Sequence, residues 1–527
     1  MSNSVSLGNG AGNTNQGSSA VAVGFNAGQT SQGNFTVAVG AGSQINGSAL
    51  GSIAIGAGAG YTEQGSYATA IGTNSAYTSQ GSNSVAVGVN SGNISQGDNA
   101  VAIGVNSGFN KQGSNSVHIG VNSGFTGSND GTVSIGANSG NFNQGLNSVA
   151  IGINSGLTGQ GANSVSIGVS SQINGSGGIE TVAIGSQSAN TSQGNYGIAI
   201  GSGAGYSNQG SSSVAIGTSA GYSGQQTSCI AIGENAGQYK QSNYSIAIGQ
   251  NAGYSGQLGN SVAIGASAGT YSQASYSIAI GTNAGYSSQE NASVAIGTDA
   301  GYSGQNEFSV AIGSAAGQYS QKTGSVAIGQ DAGNNNQGTY SIAIGAGAGY
   351  LNQASNSIAL DASRSLLNPS TSGFFVNPVR STSVGATTSN LLYYDSSKKE
   401  IKYDTGKTFV IDHPDDKEKY LVHACLEGPE AGVYYRGKGE ITNNQFEIID
   451  LPHYVKNLAR EFTVQITPIY NGSIKVYNSS EVEDNKFSVF GENGTFFWEV
   501  KGKRFDINVE PSKDSTDVKG NGPYKWI

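Results

Sequence analysis

The first two thirds of this chain contain almost no charged side chains. Residues 1–360 hold three lysines, nine acidic residues and no arginine, whereas the remaining 167 residues hold 20 basic and 23 acidic side chains. Neither part has the excess of positive charge that neutralises phosphates, so we expect no binding to nucleic acid. The same region has one histidine, His118. Without clustered acids, bases or metal ligands, we expect no catalysis there.

Cysteines and long apolar runs are also scarce. Cys229 and Cys425 are far apart in the chain, which predicts two unpaired thiols rather than a disulfide or a metal pair. The four aspartates of residues 1–360 form no column, which excludes a calcium-binding β-roll, and we expect no cofactor. No apolar run approaches the ~18 residues that a membrane span requires. The start, "MSNSVSLGNG", has no basic segment before an apolar one, so we expect no secretory signal and assembly in the cytoplasm.

Glycine, in contrast, is abundant and periodic. A glycine follows an apolar residue every sixteen residues from Gly8 to Gly168 and, after one extra residue, again from Gly185 to Gly345. These are 22 copies of one unit, with the consensus G-x-[NS]-[AS]-G-Y-[ST]-x-Q-[GA]-x-x-S-[VI]-A-I. A last copy ends in "SIALD", where Asp361 takes the place of the glycine. Such regular self-similarity predicts a solenoid in which stacked copies bury one continuous core.

Each unit has the pattern of one coil of a β-solenoid. The segment "SVAIG" alternates large and small side chains as a strand does, and the glycines with Asn or Ser provide the turns. We therefore predict an all-β fold with a solenoid shaft over residues 1–361, whose 22 coils stack to roughly 105 Å. We expect valine and isoleucine to form its core columns, among them Val262, Ile264, Ile278, Ile280, Val294 and Ile296.

A glutamine lies eight residues after the glycine in 19 of the 22 copies. A single buried glutamine is costly, but in a stack each side-chain amide can hydrogen-bond to the next. We interpret this column as a structural ladder, and a row of ligand-binding amides is the alternative. The column includes Gln241, Gln257, Gln273, Gln289, Gln305, Gln321, Gln337 and Gln353.

Aromatic residues form two further patterns in the C-terminal half of the repeat. Tyrosine occurs five or six residues after many of the glycines, as at Tyr206 and Tyr239. A second set precedes every other copy of the "SIAIG" type, with a period of 32 residues. Packing across coils or between chains is one interpretation, and a stripe that binds glycans or another surface is the alternative. The second set consists of Tyr244, Tyr276, Phe308 and Tyr340.

The rest of the chain has the composition of an ordinary globular protein. Residues 362–407 break the period and contain a predicted hairpin, "LLYYDSSKKEIKY". From residue 408 to 527, about nine short strands with turn signals predict a β-sandwich-like domain. We expect its core to include Phe446, Phe462, Phe497 and Trp498.

One segment of this domain, "HACLEGPE", groups His423, Cys425, Glu427 and Glu430. In a strand, His423 and Cys425 share a face, which is the pattern of two packed residues, and the glutamates flank a Gly-Pro turn. Cys-His nucleophilic catalysis or a metal pair is the alternative, but no third orienting group is identifiable. We therefore expect a structural role and no enzymatic activity.

Two resemblances follow from these motifs. The phrase "NSVAIG" with the small residues after it resembles the head repeats of trimeric autotransporter adhesins, which implies a left-handed parallel β-roll that trimerises side by side. The segment that runs from "SGFFVNPVRSTSV" to "KYLVHACLEGPEAGVYYRGKGEI", residues 372 to about 441, resembles the C-terminal portion of fibre and tail-spike proteins of phages and large DNA viruses. That resemblance implies a region that drives trimerisation or caps the tip of a fibre.

Together these features predict a homotrimeric structural fibre on the surface of a virus particle. The solenoid would be its shaft and the domain 408–527 its tip, and its partners would be other copies of the chain, a virion attachment protein and a host receptor or glycan. End-to-end joining of shafts is a further expectation, because solenoid ends are open sheet edges. The alternatives are a secreted cell-surface adhesin or matrix filament, and an ice- or glycan-binding solenoid.

Overall fold

The computed structural model describes residues 3–44, 46, 48–173, 178–379, 391–404, 408–412, 415–416, 418–424 and 431–505. The chain divides into two compact units, residues 1–380 and 381–527. Within the described ranges every regular element is a β-strand, apart from the short 3-10 helix Val455–Asn457. The predicted all-β class is confirmed.

The first unit is a β-solenoid of about 23 turns. Its main sheet has 24 strands, which pair in parallel and in register from one copy to the next. For example, Val262 pairs with Ile278, sixteen residues later. The predicted solenoid is therefore confirmed. The strands are Val5–Leu7, Val21–Val23, Val37–Val39, Ile53–Ile55, Thr69–Ile71, Val85–Val87, Val101–Ile103, Val117–Ile119, Val133–Ile135, Val149–Ile151, Val165–Ile167, Val182–Ile184, Ile198–Ile200, Val214–Ile216, Ile230–Ile232, Ile246–Ile248, Val262–Ile264, Ile278–Ile280, Val294–Ile296, Val310–Ile312, Val326–Ile328, Ile342–Ile344, Ser357–Asp361 and Gly373–Asn377.

A second row of short parallel pairings runs along the solenoid at the segment that ends in the periodic glutamine. Some copies form a three-residue strand there, and others form a single bridge, such as the one between Tyr239 and Ser255. The strands of this row are Thr62–Gln64, Thr78–Gln80, Ile94–Gln96, Asn110–Gln112, Thr191–Gln193, Ser207–Gln209, Tyr271–Gln273, Ser287–Gln289 and Ser303–Gln305.

The interior of the solenoid is lined by alanine, not by valine and isoleucine. In each strand such as Val262–Ile264, the middle alanine is buried and the two flanking residues are partly exposed. A Cβ on Gly285 would lie 3.2 Å from Cβ of Ala279 and 2.6 Å from Oε1 of Gln289, so the lumen has no room for larger side chains. The predicted core is therefore wrong. Successive side chains of a strand point to opposite faces, and the narrow lumen accepts only the face that carries the small side chains. The residues that point outward instead are Val262, Ile264, Ile278, Ile280, Val294 and Ile296.

The periodic glycine forms a corner that other residues rarely adopt. Gly281 has a φ of 128°, and a Cβ there would lie 2.6 Å from the carbonyl oxygen of Gly297 in the next coil. Only glycine enters this conformation without steric cost. Where Asp361 replaces the glycine, the strand Ser357–Asp361 continues for five residues instead of three, and the sixteen-residue pattern ends.

The first unit extends beyond residue 361. The strand Gly373–Asn377 pairs in parallel with Ser357–Asp361, and the carboxylate of Asp361 accepts hydrogen bonds from the backbone N–H groups of Ser363 and Leu367. Burial opposes ionisation of this carboxyl group, but a hydrogen bond from the Ser363 hydroxyl and these backbone hydrogen bonds together outweigh burial and lower the pKa of Asp361. The predicted linker 362–407 is thus divided between the two units at residue 380.

The second unit begins with two antiparallel strand pairs. Leu391–Asp395 pairs with Glu400–Asp404, which confirms the predicted hairpin. Thr408–Asp412 pairs with Tyr420–Ala424.

Two three-stranded antiparallel sheets follow in the second unit. Ile441 and Phe496 from the first sheet and Phe487 and Val489 from the second belong to one buried cluster, which is a sandwich-like arrangement. Phe496 is fully buried whereas the adjacent Phe497 is 52% exposed, because neighbouring strand residues face opposite sides. The sheets are Gly432–Ile441, Gly494–Arg504 and Ala459–Pro468, and Phe446–Asp450, Lys486–Phe490 and Asn478–Ser479.

Candidate functional site

The solenoid arranges its side chains in long columns, and these columns are the candidate functional features of the first unit. The interior columns are the alanines, the glutamines and the serines that directly precede the strands, such as Ser261. The others are on the outside, where they can meet a partner. Within the described residues there is no group of three or more His, Cys, Asp or Glu side chains placed to hold a metal ion.

The glutamine column forms an amide ladder inside the solenoid. From Gln257 to Gln337, each Nε2 donates to Oε1 of the glutamine in the next coil over 3.1–3.2 Å, and Gln353 is the last acceptor. Each Nε2 also donates to a strand carbonyl of its own coil, as from Gln257 to Ile246 at 2.8 Å. Gln241 ends a separate run that begins at Gln193. These side chains are at most 2% exposed, so they cannot act as a ligand-binding row.

Three of the 22 coils lack this glutamine, and in one of them a histidine also replaces the buried alanine. His118 takes the place of the buried alanine, and Ser128 takes the place of the glutamine. In the preceding coil a Cβ on Gly108 would meet Oε1 of Gln112, whereas a Cβ on Gly124 would meet the His118 ring. The imidazole therefore fills the space that glutamine fills in other coils. Burial lowers the pKa of His118 to about 3, so the ring is neutral at neutral pH.

The tyrosines that lie five or six residues after the glycine form a continuous stack. Adjacent ring centroids are 4.7–6.3 Å apart, within the range of favourable aromatic contacts. Two rings that both lie five residues after their glycines are parallel, as in Tyr206–Tyr222. Where one ring lies five and the next lies six residues after its glycine, the contact is edge to face, as in Tyr222–Tyr239. Packing across coils thus accounts for this set. It consists of Tyr206, Tyr222, Tyr239, Tyr254, Tyr271, Tyr286, Tyr302 and Tyr319.

The second aromatic set, which we call the corner aromatic row, is far more exposed. Its members lie five residues before the glycine, and their side chains are 62–66% exposed. All four have a positive φ between 54° and 61°. The row consists of Tyr244, Tyr276, Phe308 and Tyr340. Phe35, Tyr67 and Tyr196 occupy the same kind of corner nearer the N-terminus, outside this unbroken series.

The outward valines and isoleucines of the 22 three-residue strands form what we call the Val/Ile face. A third outward column, the residue directly after the glycine, widens this face in the N-terminal half, where five of its apolar members are 44–52% exposed. We did not predict this column from the sequence, although its sixteen-residue spacing is visible there. Its apolar members include Val89, Val105, Val121, Ile153 and Val169.

In the second unit, His423 lies on the strand Tyr420–Ala424 opposite Phe409, and Cys425, Glu427 and Glu430 lie outside the described residues. The structural role expected for this segment, and the alternative of a catalytic or metal cluster, therefore stay predictions. A shallow groove of about 510 Å³ lies elsewhere, on the sheet that contains Gly494–Arg504. It is lined by Arg436, Gly437, Gln465, Thr467, Phe497, Trp498 and Glu499.

The four aromatic residues predicted for the core of the second unit divide into two pairs. Phe462 and Trp498 pack against the buried clusters. Phe446 and Phe497 are 38% and 52% exposed, so their placement in the core is wrong, since each is on the outward face of its strand.

The first unit also contains Cys229, a buried free thiol whose Sγ lies 2.9 Å from the carbonyl oxygen of Ser242. Burial raises the pKa of this thiol, which makes it a poor nucleophile. Cys425 lies outside the described residues. None of the helices in the described ranges has the length and apolar character of a membrane span.

No protein-family model, no curated protein and no solved structure matches this chain.

Proposed function

We propose that this protein is a structural fibre of a virus particle, assembled in the cytoplasm as a homotrimer and displayed on the virion surface. The solenoid is the shaft, and the C-terminal unit is the tip that contacts a host receptor or glycan. The protein acts by geometry rather than by catalysis. A stiff shaft holds the tip away from the particle, and three tips per fibre give multivalent attachment.

The observation that carries this proposal is the exposed Val/Ile face. It runs along 22 coils, or roughly 105 Å at the spacing of β-strands. With a width of about 10 Å, it has an area on the order of 1,000 Å², whereas the apolar patches of monomeric proteins rarely exceed a few hundred Å². A face of this size favours a partner that covers it.

A second copy of the same chain is the partner that fits best. Its Val/Ile face has the same sixteen-residue period, so the columns of two chains match along their whole length. The near absence of charge in residues 1–360 also means that parallel chains meet without strong repulsion. Side-by-side trimerisation, as in the adhesin heads that the repeat resembles, would bury this face.

The assembly is tested by the mass of the purified protein in sedimentation equilibrium. We expect three chains per particle for the wild type. Threonine occurs naturally on this face, at Thr69, so it preserves the strand while it removes apolar surface. A variant with six such threonines should dissociate towards monomers. Its substitutions are V262T, I264T, I278T, I280T, V294T and I296T.

A matched control places threonine in the column directly after the glycine, where Thr282 and Thr298 occur naturally. The triple variant A266T, S314T and Q330T should keep the wild-type mass. A wild type that is monomeric at micromolar concentration would refute the assembly, as would an unchanged mass of the six-threonine variant.

The proposed location on a virus particle is tested by immunogold electron microscopy of the producing cells, with an antibody against residues 408–527. Gold at the ends of projections from virus particles is the expected result. Gold on a cell envelope or extracellular matrix, with no labelled particles, would instead establish the alternative of a secreted adhesin or matrix filament.

A further inference from the structure

The corner aromatic row occupies positions that are poorly suited to aromatic residues. The residue five places before the glycine has a left-handed backbone conformation in coil after coil. In the coils between those that carry an aromatic residue, this position is occupied by Asn260, Ala292 and Gly324. A left-handed conformation costs a residue with a side chain roughly 1–2 kcal/mol. Exposure of a large ring adds a further cost. Residues held in such a costly conformation cluster at functional sites, and here the cost is combined with exposure of a large ring.

The backbone holds the row at a constant spacing. The N–H of Tyr276 donates to the carbonyl oxygen of Gly259 at 3.2 Å, and the N–H of Phe308 donates to that of Asn291 at 3.1 Å. Each aromatic corner is thus tied to the coil before it. Because the row uses every second coil, its members are spaced by two strand separations, roughly 9.6 Å.

The coils between the rings leave space along the row. A Cβ on Gly324 would lie 2.7 Å from Cδ1 of Tyr340, so this ring leans along the shaft over the small corner of the preceding coil. A polar residue directly precedes each aromatic one and can bond to hydroxyl groups beside the ring. These residues are Asn243, Ser275, Glu307 and Thr339.

This geometry matches one class of ligand. The apolar C–H face of a sugar ring packs against an aromatic ring, and in an extended β-1,4-linked chain every second sugar presents the same face. The disaccharide repeat of such a chain is close to two coil separations. The three lysines and nine acidic residues of residues 1–360 provide no positive patch for an anionic polymer, so the ligand is neutral.

We propose that the corner aromatic row is a binding track for a neutral, extended β-1,4-linked polysaccharide. The track is on the shaft rather than on the tip, and it does not depend on the proposed particle or on trimer formation. Each ring packs against one sugar of every disaccharide, and the sugar between two rings lies over Asn260, Ala292 or Gly324.

The test is isothermal titration of the full chain with cellohexaose and with chitohexaose, which distinguish a glucose chain from an N-acetylglucosamine chain. Binding of at least one of them is expected, with no binding of amylose or alginate oligomers of the same length. Each ring that is removed should weaken binding by roughly fivefold, since an aromatic contact contributes about 1 kcal/mol. The variant without rings is Y244N, Y276N, F308N and Y340N.

Asparagine is the replacement because Asn260 and Asn356 occupy the same corner naturally with a positive φ. The variant without rings should therefore keep the circular dichroism spectrum and unfolding midpoint of the wild type. A second variant, F308N with A292Y, keeps four rings but breaks the two-coil spacing. It should bind as weakly as F308N alone.

Three results would overturn the proposal. The first is no binding of either hexasaccharide by the wild type, and the second is unchanged binding by the variant without rings. The third is wild-type affinity of F308N with A292Y, which would show that ring spacing is irrelevant. A change of sedimentation mass in the variant without rings, with binding unaffected, would assign the row to contacts between chains instead.

Discussion

Nε2 of His118 lies 3.2 Å from Oγ1 of Thr132, in the interior of the solenoid. This contact joins one coil to the next at the point where the regular alanine and glutamine pair is absent. Nδ1 of the same ring has no hydrogen-bond partner among the described residues. The ring is therefore buried, neutral and partnered on one side.

The first prediction concerns pH. The pKa of His118 falls from 6.5 to about 3 on folding, so between these values the unfolded chain binds a proton that the folded chain does not. The free energy of unfolding should therefore fall as the pH drops below 6.5, by at most about 1.4 kcal/mol per pH unit from this residue. Urea unfolding at pH 7 and pH 5 measures it. The double variant H118A/S128Q should show a smaller loss, and an equal loss in both proteins would contradict the prediction.

The second prediction is that His118 and Ser128 compensate for each other. H118A alone leaves a cavity and should cost about 2–4 kcal/mol. S128Q alone forces an amide against the imidazole and should cost about 1–3 kcal/mol. The double variant restores the pair found in most coils, so its stability should be close to the wild type. A double-mutant cycle of urea unfolding measures the coupling, and additive losses would show that the two side chains do not share one space.

The third prediction concerns the glutamine ladder. Q289L removes two ladder hydrogen bonds, since Gln289 accepts from Gln273 and donates to Gln305. Q257L removes only one, because Oε1 of Gln257 has no hydrogen-bond partner among the described residues. Each of the two glutamines also donates to one strand carbonyl at 2.8 Å. Both variants lose this hydrogen bond, so it does not contribute to the difference between them. Q289L should lower the free energy of unfolding by about 1 kcal/mol more than Q257L.

Urea unfolding followed by circular dichroism measures this difference. Equal losses for Q289L and Q257L would mean that the side-chain bonds between coils add nothing to the bonds within each coil.

The fourth prediction concerns the corner glycine. G281A places a Cβ 2.6 Å from the carbonyl oxygen of Gly297 at a φ of 128°, and should destabilise the solenoid by at least about 3 kcal/mol. Gly259 lacks a positive φ, and Ser275 occupies the equivalent place in the next coil. G259S should therefore be tolerated. Thermal unfolding compares the two variants, and a G281A protein as stable as G259S would refute the steric argument.

Much of the fold could be predicted from the sequence because stacking converts a sixteen-residue period into a coil. The period of the glycines fixed the length of each coil, and the absence of clustered charge left little chemistry for residues 1–360. The paired change of His118 and Ser128 was also visible in the repeat. That the two side chains share one space could not be predicted, because residues ten apart in sequence face each other only when the coil closes.

What the sequence by itself determined is a parallel β-solenoid with two alternating faces and an internal glutamine column. What only the tertiary structure decided is which face is inside. In Val262–Ala263–Ile264, hydrophobicity favours valine and isoleucine for the core, but the closed coil leaves a lumen in which only a small residue such as alanine fits beside Gln257 and its neighbours. The larger residues are therefore outside, because the volume enclosed by sixteen residues, and not their hydrophobicity, sets the limit.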